Sequence, residues 1–206
     1  VENNGHAMAP YMMSVALWVG CIAFSLMYPL TKYHGKLKSG FAWWASKASV
    51  LYLVAISQAV VMIGLLHFFD GFEPVQMTKT IAFACLASVA FMSVMYFFTN
   101  TFGKVGSFLM LIFMVIQLAG SVGTYPLELS GSFVPYLHDW VPFTYTVEAF
   151  RSTIAGGESI RNAVIFLIVL WLVFTGLTIL EFQIRAVKIK KGKPILESWL
   201  EKKGLA

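Results

Sequence analysis

The stretch GTYPLELSGSFVPYLHDWVPFTYTVEAFRSTIAGG, Gly123 to Gly157, decides how the rest of the chain is read. It carries Pro126, Pro135 and Pro142 together with Glu128, Asp139, Glu148 and Arg151, which a bilayer-spanning helix would not tolerate. It also carries Phe133, Tyr136, Leu137, Trp140, Phe143, Tyr145 and Phe150, more apolar surface than a water-exposed loop needs. Lying between two long apolar runs, the segment reads as a folded lid or re-entrant hairpin at one membrane surface. Non-helical backbone at membrane depth must be buried in protein or line a wet cavity.

The hairpin divides at its prolines. Tyr125-Pro126 closes the preceding span, because proline cannot continue the helical ladder. Ser130-Gly131-Ser132 is a turn signal. Pro135 to Trp140 is expected to form one short helix ended by Pro142. From there Phe143, Val147, Phe150 and Ile154 recur at helical spacing and predict a second helix, stopped at Gly156-Gly157. Glu148 and Arg151, three apart and off that stripe, are placed so that they could pair.

Outward from this segment the chain is membrane-like throughout. Of 206 residues 58% are hydrophobic and only 12% charged, with mean hydropathy +0.75, far from the quarter or so of charged residues usual in soluble domains. Runs at 7–30, 48–69, 80–99, 105–125 and 163–180 contain no Asp, Glu, Lys or Arg and are long enough to cross a bilayer. The expected fold is therefore an all-α polytopic membrane protein. It is one transmembrane domain over 1–206, with five spans, an external hairpin at 126–157 and a basic tail at 181–206.

Charge sets the expected orientation. Lys32, Lys36, Lys38, Lys47, Lys104 and the tail residues from Arg185 to Lys203 fall on one side; only Lys79, Arg151 and Arg161 fall on the other, among the acids. Excess Lys and Arg marks the cytoplasm, so the hairpin and the N-terminus face outside and the C-terminus inside. The net charge of +5 lies in loops beside apolar spans and reads as topology, not as a nucleic-acid surface. An external Val1 implies an upstream helix and external segment in a longer protein.

The loop residues Lys36, Lys38, Phe41, Trp43, Trp44 and Lys47 mix cations with indoles. They read as lipid headgroup anchors or as a short interfacial helix able to dock a cytoplasmic partner. Beyond the basic run Arg185–Lys193, the residues Ile195, Leu196, Trp199 and Leu200 fall on one face of an expected amphipathic surface helix.

Catalytic chemistry has little to stand on. No Gly-x-x-x-x-Gly-Lys-Ser/Thr loop and no Gly-x-Ser-x-Gly elbow occurs. His6, His34, His67 and His138 lack ligand spacing, and Cys21 and Cys85 sit in separate apolar runs. The expectation is a non-enzymatic protein with no cofactor, metal or catalytic residue. The polar residues inside spans are Gln58 and Gln117, whose amides are expected to hydrogen-bond between helices.

Several motifs then carry a resemblance. Ala9-Pro10-Tyr11 followed by Leu17-Trp18-Val19-Gly20, the span ending Gly123-Thr124-Tyr125-Pro126, and Val141-Pro142-Phe143-Thr144-Tyr145 with Arg151 together resemble the C-terminal membrane domain of the YhgE/Pip (phage infection protein) family. That family is related to the permeases of ABC type 2 exporters. The resemblance implies a first helix, a large extracellular domain and five further spans, of which this chain is the last five. It implies a homodimer and a coupling segment at Lys36–Lys47 that touches an ATPase or secretion-system subunit. It also implies an exporter-type hairpin at Pro126–Gly157. Two functions follow as expectations: an export-permease-like domain, or a cell-surface receptor or secretion scaffold, linked to bacteriophage adsorption or type VII secretion, that this part anchors in the lipid bilayer.

Overall fold

The computed structural model describes residues 4–30, 38–121, 134–193 and 202–203. Lys36, Tyr125, Pro126, Glu128 and the expected tail helix at 195–200 lie outside the described residues. The elements are α1 (Asn4–Met27), α2 (Gly40–Asp70), α3 (Met77–Phe102), α4 (Lys104–Gly120), α5 (Val134–His138), α6 (Pro142–Ala155) and α7 (Arg161–Lys190). Among the described residues there is no strand. Four helices, α1, α2, α3 and α7, are long and apolar enough to cross a membrane, and the chain is a multi-pass membrane protein.

α3 is the axis. Every residue from Ala87 to Tyr96 is buried, and α1, α2, α4, α6 and α7 all pack on it. Its small residues Ala84, Ala87, Ser88, Ala90 and Ser93 let neighbouring backbones approach, which is how helices associate where lipid removes most of the hydrophobic drive. α2 shows the complementary pattern. Leu51, Ala55, Ala59 and Ile63 recur every fourth residue toward the bundle, while Leu53, Val60, Val61 and Leu65 face outward.

Three boundaries differ from the sequence expectation. α2 starts at Gly40, with the Ser39 hydroxyl accepting from Ala42 N at 3.1 Å, so Phe41, Trp43, Trp44 and Lys47 form its first turns and not a separate interfacial helix. α7 continues past Leu180 to Lys190, because Glu181 and Arg185 pair one turn apart and Phe182 is buried against Trp43 and Tyr96. α4, expected to span 105–125, has only 17 residues, about 25 Å against a hydrocarbon core of about 30 Å. It begins directly after α3, the chain reversing at Gly103 with φ 62, a conformation glycine adopts without Cβ strain. It ends at Gly120, on which Leu137 and Val141 of the following segment pack.

Candidate functional site

α6 realises the predicted stripe. Phe143, Val147, Phe150 and Ile154 are all buried, and Gly156 stops the helix with φ 74. Pro142 sits in the first turn, where its missing N–H costs nothing. The ring of Phe143 lies 5.8 Å from Phe91, and that of Phe150 lies 5.1 Å from Phe83. The helix therefore runs antiparallel to α3, with its N-terminus at mid-bundle and its C-terminus at the α2–α3 turn.

A buried helix end needs partners for its unpaired backbone groups. Both ends of α6 find them on distant elements. At the N-terminus, Phe143 N donates to the Gln117 side-chain oxygen of α4 at 3.2 Å. At the C-terminus, Val75 N and Gln76 N of the α2–α3 turn donate to the carbonyls of Ile154 and Thr153 at 3.0 and 3.1 Å. Gln117 is fully buried, and its amide nitrogen has no protein partner among the described residues.

Trp18 joins the four elements that meet at this depth. Its ring lies 4.9 Å from Phe91 of α3, 5.8 Å from Phe113 of α4 and 5.6 Å from Phe143 of α6, at 58–90° to each. Its indole N–H donates to the Met110 carbonyl at 3.4 Å. Edge-on aromatic contacts of this kind contribute about 0.5–1.5 kcal/mol each beyond burial.

The turn between α5 and α6 is tied by His138. Its Nδ1 lies 2.9 Å from the Gly120 carbonyl, and the Thr144 hydroxyl donates to the His138 carbonyl at 2.6 Å. Its Nε2 lies 3.9 Å from Glu148, so the partner of Glu148 is His138 and not Arg151. Arg151 is exposed. Tyr145 stacks on Phe166 of α7 at 3.9 Å and donates to the Asp139 carbonyl. Asp139 and Trp140 form a turn, so the first short helix ends at His138 and not at Trp140.

Gln58 makes a second polar tie, between α1, α2 and α3. Its amide nitrogen donates to Ser88 Oγ at 2.7 Å, Cys21 Sγ at 3.1 Å and the Leu17 carbonyl at 3.3 Å, and the Ser88 hydroxyl donates in turn to the Ala55 carbonyl. Gly20 leaves room for this side chain. A Cβ at that position would overlap the Gln58 side-chain oxygen.

The aromatic and basic residues from Lys38 to Lys47 gather at the other end of the bundle, where α2 begins and α7 ends. Lys38 and Phe41 are exposed. Trp43 is buried edge-on against Phe182 at 4.7 Å, and the Trp44 carbonyl accepts from Tyr96 OH at 3.3 Å. The Lys47 ammonium sits 4.9 Å above the Tyr28 ring. Beside them Arg185, 1% exposed, pairs with Glu181 at 3.1 Å and donates to the Asn100 carbonyl near the end of α3. A cation there suits the negative end of the helix dipole.

Sequence reasoning missed Trp18, Phe91, Phe113, His138 and Arg185. The aromatics were indistinguishable from other core residues, because their importance lies in meeting across four elements. Arg185 was counted with the tail charges, although its four-residue spacing from Glu181 was a signal for a continuing helix. Among the described residues no group of three His, Cys, Asp or Glu side chains is placed to hold a metal ion.

The chain is 35% identical over 158 residues, 77% of its length, to a Bacillus subtilis (strain 168) protein described as "Uncharacterized protein YhgE". It spans 20% of that relative's length. No protein-family model and no solved structure matches it.

Proposed function

Because the chain belongs to the YhgE/Pip family, we propose that it works as a non-enzymatic, export-permease-like membrane domain at the bacterial cell surface. In this reading α5 and α6 are a re-entrant hairpin entering from the outer face, and a cytoplasmic ATPase docks beside Lys38, Phe41 and the loop before them. One observation carries the reading. α4 stops at Gly120, short of a full crossing, and α6 comes in antiparallel to α3 to meet it, with Gln117 of α4 capping the incoming helix. Helices interrupted at membrane depth, with their free backbone groups satisfied by protein, are the usual framework of transport sites.

The test is capture of the partner. The full-length protein, tagged and purified from its native membrane, is expected to bring down an ATPase, and Lys38→Glu with Phe41→Ala is expected to release it while the membrane level stays unchanged. Purification without any ATPase, under conditions that preserve a known exporter complex, would sink the coupling.

A second reading, a receptor or secretion scaffold anchored by this bundle, draws support from the relative's length, of which the chain spans only 20%. Loss of phage adsorption or secretion in a Lys38→Glu/Phe41→Ala strain that keeps its ATPase would favour it.

A further inference from the structure

The cleft between α1 and α2 is a second feature, apart from the hairpin. The two helices meet at Gly20 and Gln58, and the cleft lies between them on the side of the α2–α3 turn. One turn beyond the contact, Ala16 and Met62 begin two facing stripes. Met12 and Met8 continue the first, and Leu66 and Asp70 continue the second, all at four-residue spacing. The turn residues Phe72 and Glu73 close the far end. From Met62 to Asp70 the cleft runs about 12 Å at 1.5 Å per residue. Its volume is about 690 Å³, within the range of about 300–1,000 Å³ usual for small-molecule sites.

The chemistry of the walls is one-sided. Methionines supply much of the lining: flexible, polarizable side chains that adapt to apolar guests of varied shape. The charges at the closed end are the carboxylates of Asp70 and Glu73, both exposed, and among the described residues no basic side chain lines the cleft. Neither carboxylate has an ion-pair partner among the described residues. We propose that this cleft binds a cationic amphiphile, its alkyl chain along the methionine stripes and its ammonium group between Asp70 and Glu73. The inference goes beyond the export reading and needs neither an ATPase nor transport.

The experiment uses the full chain in phosphatidylcholine nanodiscs, with two fluorescent probes of equal chain length, an alkyl trimethylammonium and an alkyl sulfate, and empty nanodiscs as the partition baseline. Saturable binding of the ammonium probe above that baseline is expected, about tenfold tighter than the sulfate. Asp70→Asn with Glu73→Gln is expected to abolish the preference while leaving the apolar contribution. Met62→Trp, which grows a half-buried wall residue into the void, is expected to weaken both probes at least tenfold at an unchanged melting temperature. Ala16→Phe does the same from the opposite wall if Met62→Trp fails to fold. Displacement by an aminophospholipid assigns the natural guest to the bilayer, and displacement by free alkylamines alone assigns it to a soluble amphiphile. Either supports the site. Equal affinity for both probes, or no saturable binding above empty nanodiscs, overturns it. Failure here would leave ATPase capture untouched, so the two readings fall separately.

Discussion

At the scale of single residues, Gly20 and Gln58 act as one unit. The Gln58 amide satisfies itself on three acceptors only because α1 comes close enough at Gly20 to offer the Leu17 carbonyl and Cys21 sulfur. Gly20→Ala is expected to push the amide off these partners and cost about 0.6–1.7 kcal/mol, the range for hydrogen bonds between helices in a bilayer. Gln58→Ala should cost a similar amount. The double variant should cost little more than Gln58→Ala alone, since the added Cβ then meets no side chain. Thermal unfolding of the four proteins in one detergent gives the coupling energy; strict additivity would mean that the clash and the hydrogen bonds are unrelated.

At the scale of elements, α6 separates what local sequence reveals from what it cannot. Its apolar stripe and its stop at Gly156 were legible, because helical periodicity and a left-handed glycine are local signals. The spans, read from charge-free apolar runs, were legible for the same reason. Its end caps were not, because Gln117 lies 26 residues from Phe143 and the Val75 amide lies in another loop altogether. The pairing of Glu148 failed likewise: spacing offered Arg151, while the α5–α6 turn brought His138 to 3.9 Å. The extent of α4 depended on the packing of Leu137 and Val141 on Gly120, and that of α7 in part on the burial of Phe182 against Trp43 and Tyr96, contacts that no window of sequence contains. Because the Gln117 side-chain oxygen accepts from Phe143 N, Gln117→Leu should fray the first turn of α6 at a cost of about 0.5–2 kcal/mol. Hydrogen–deuterium exchange should then quicken at residues 143–146 and stay unchanged in α3. Uniform quickening across the bundle would instead make Gln117 a general packing residue.

At the scale of the whole molecule, the two ends of the bundle differ in kind. One gathers Lys38, Lys104, Lys188, Lys190 and Lys191 around buried Arg185 and its half-buried partner Glu181; the other presents Asp70, Glu73, Asp139, Glu148 and Glu158 beside the cleft and the hairpin. Moving lysines across a bilayer during insertion is unfavourable, so the lysine-rich end is expected to stay in the cytoplasm. That orientation places the Asp70–Glu73 end of the cleft and α6 toward the outside, and it can be read directly. In a Cys21→Ser, Cys85→Ala background, which keeps a hydrogen-bond acceptor for Gln58, Lys104→Cys and Glu158→Cys each put one exposed thiol at opposite ends. A membrane-impermeant maleimide should label the Glu158→Cys protein in intact cells and the Lys104→Cys protein only after permeabilisation. The reverse pattern would invert the molecule, turning the hairpin and the cleft toward the cytoplasm and removing the physical basis for an ATPase at Lys38 and Phe41.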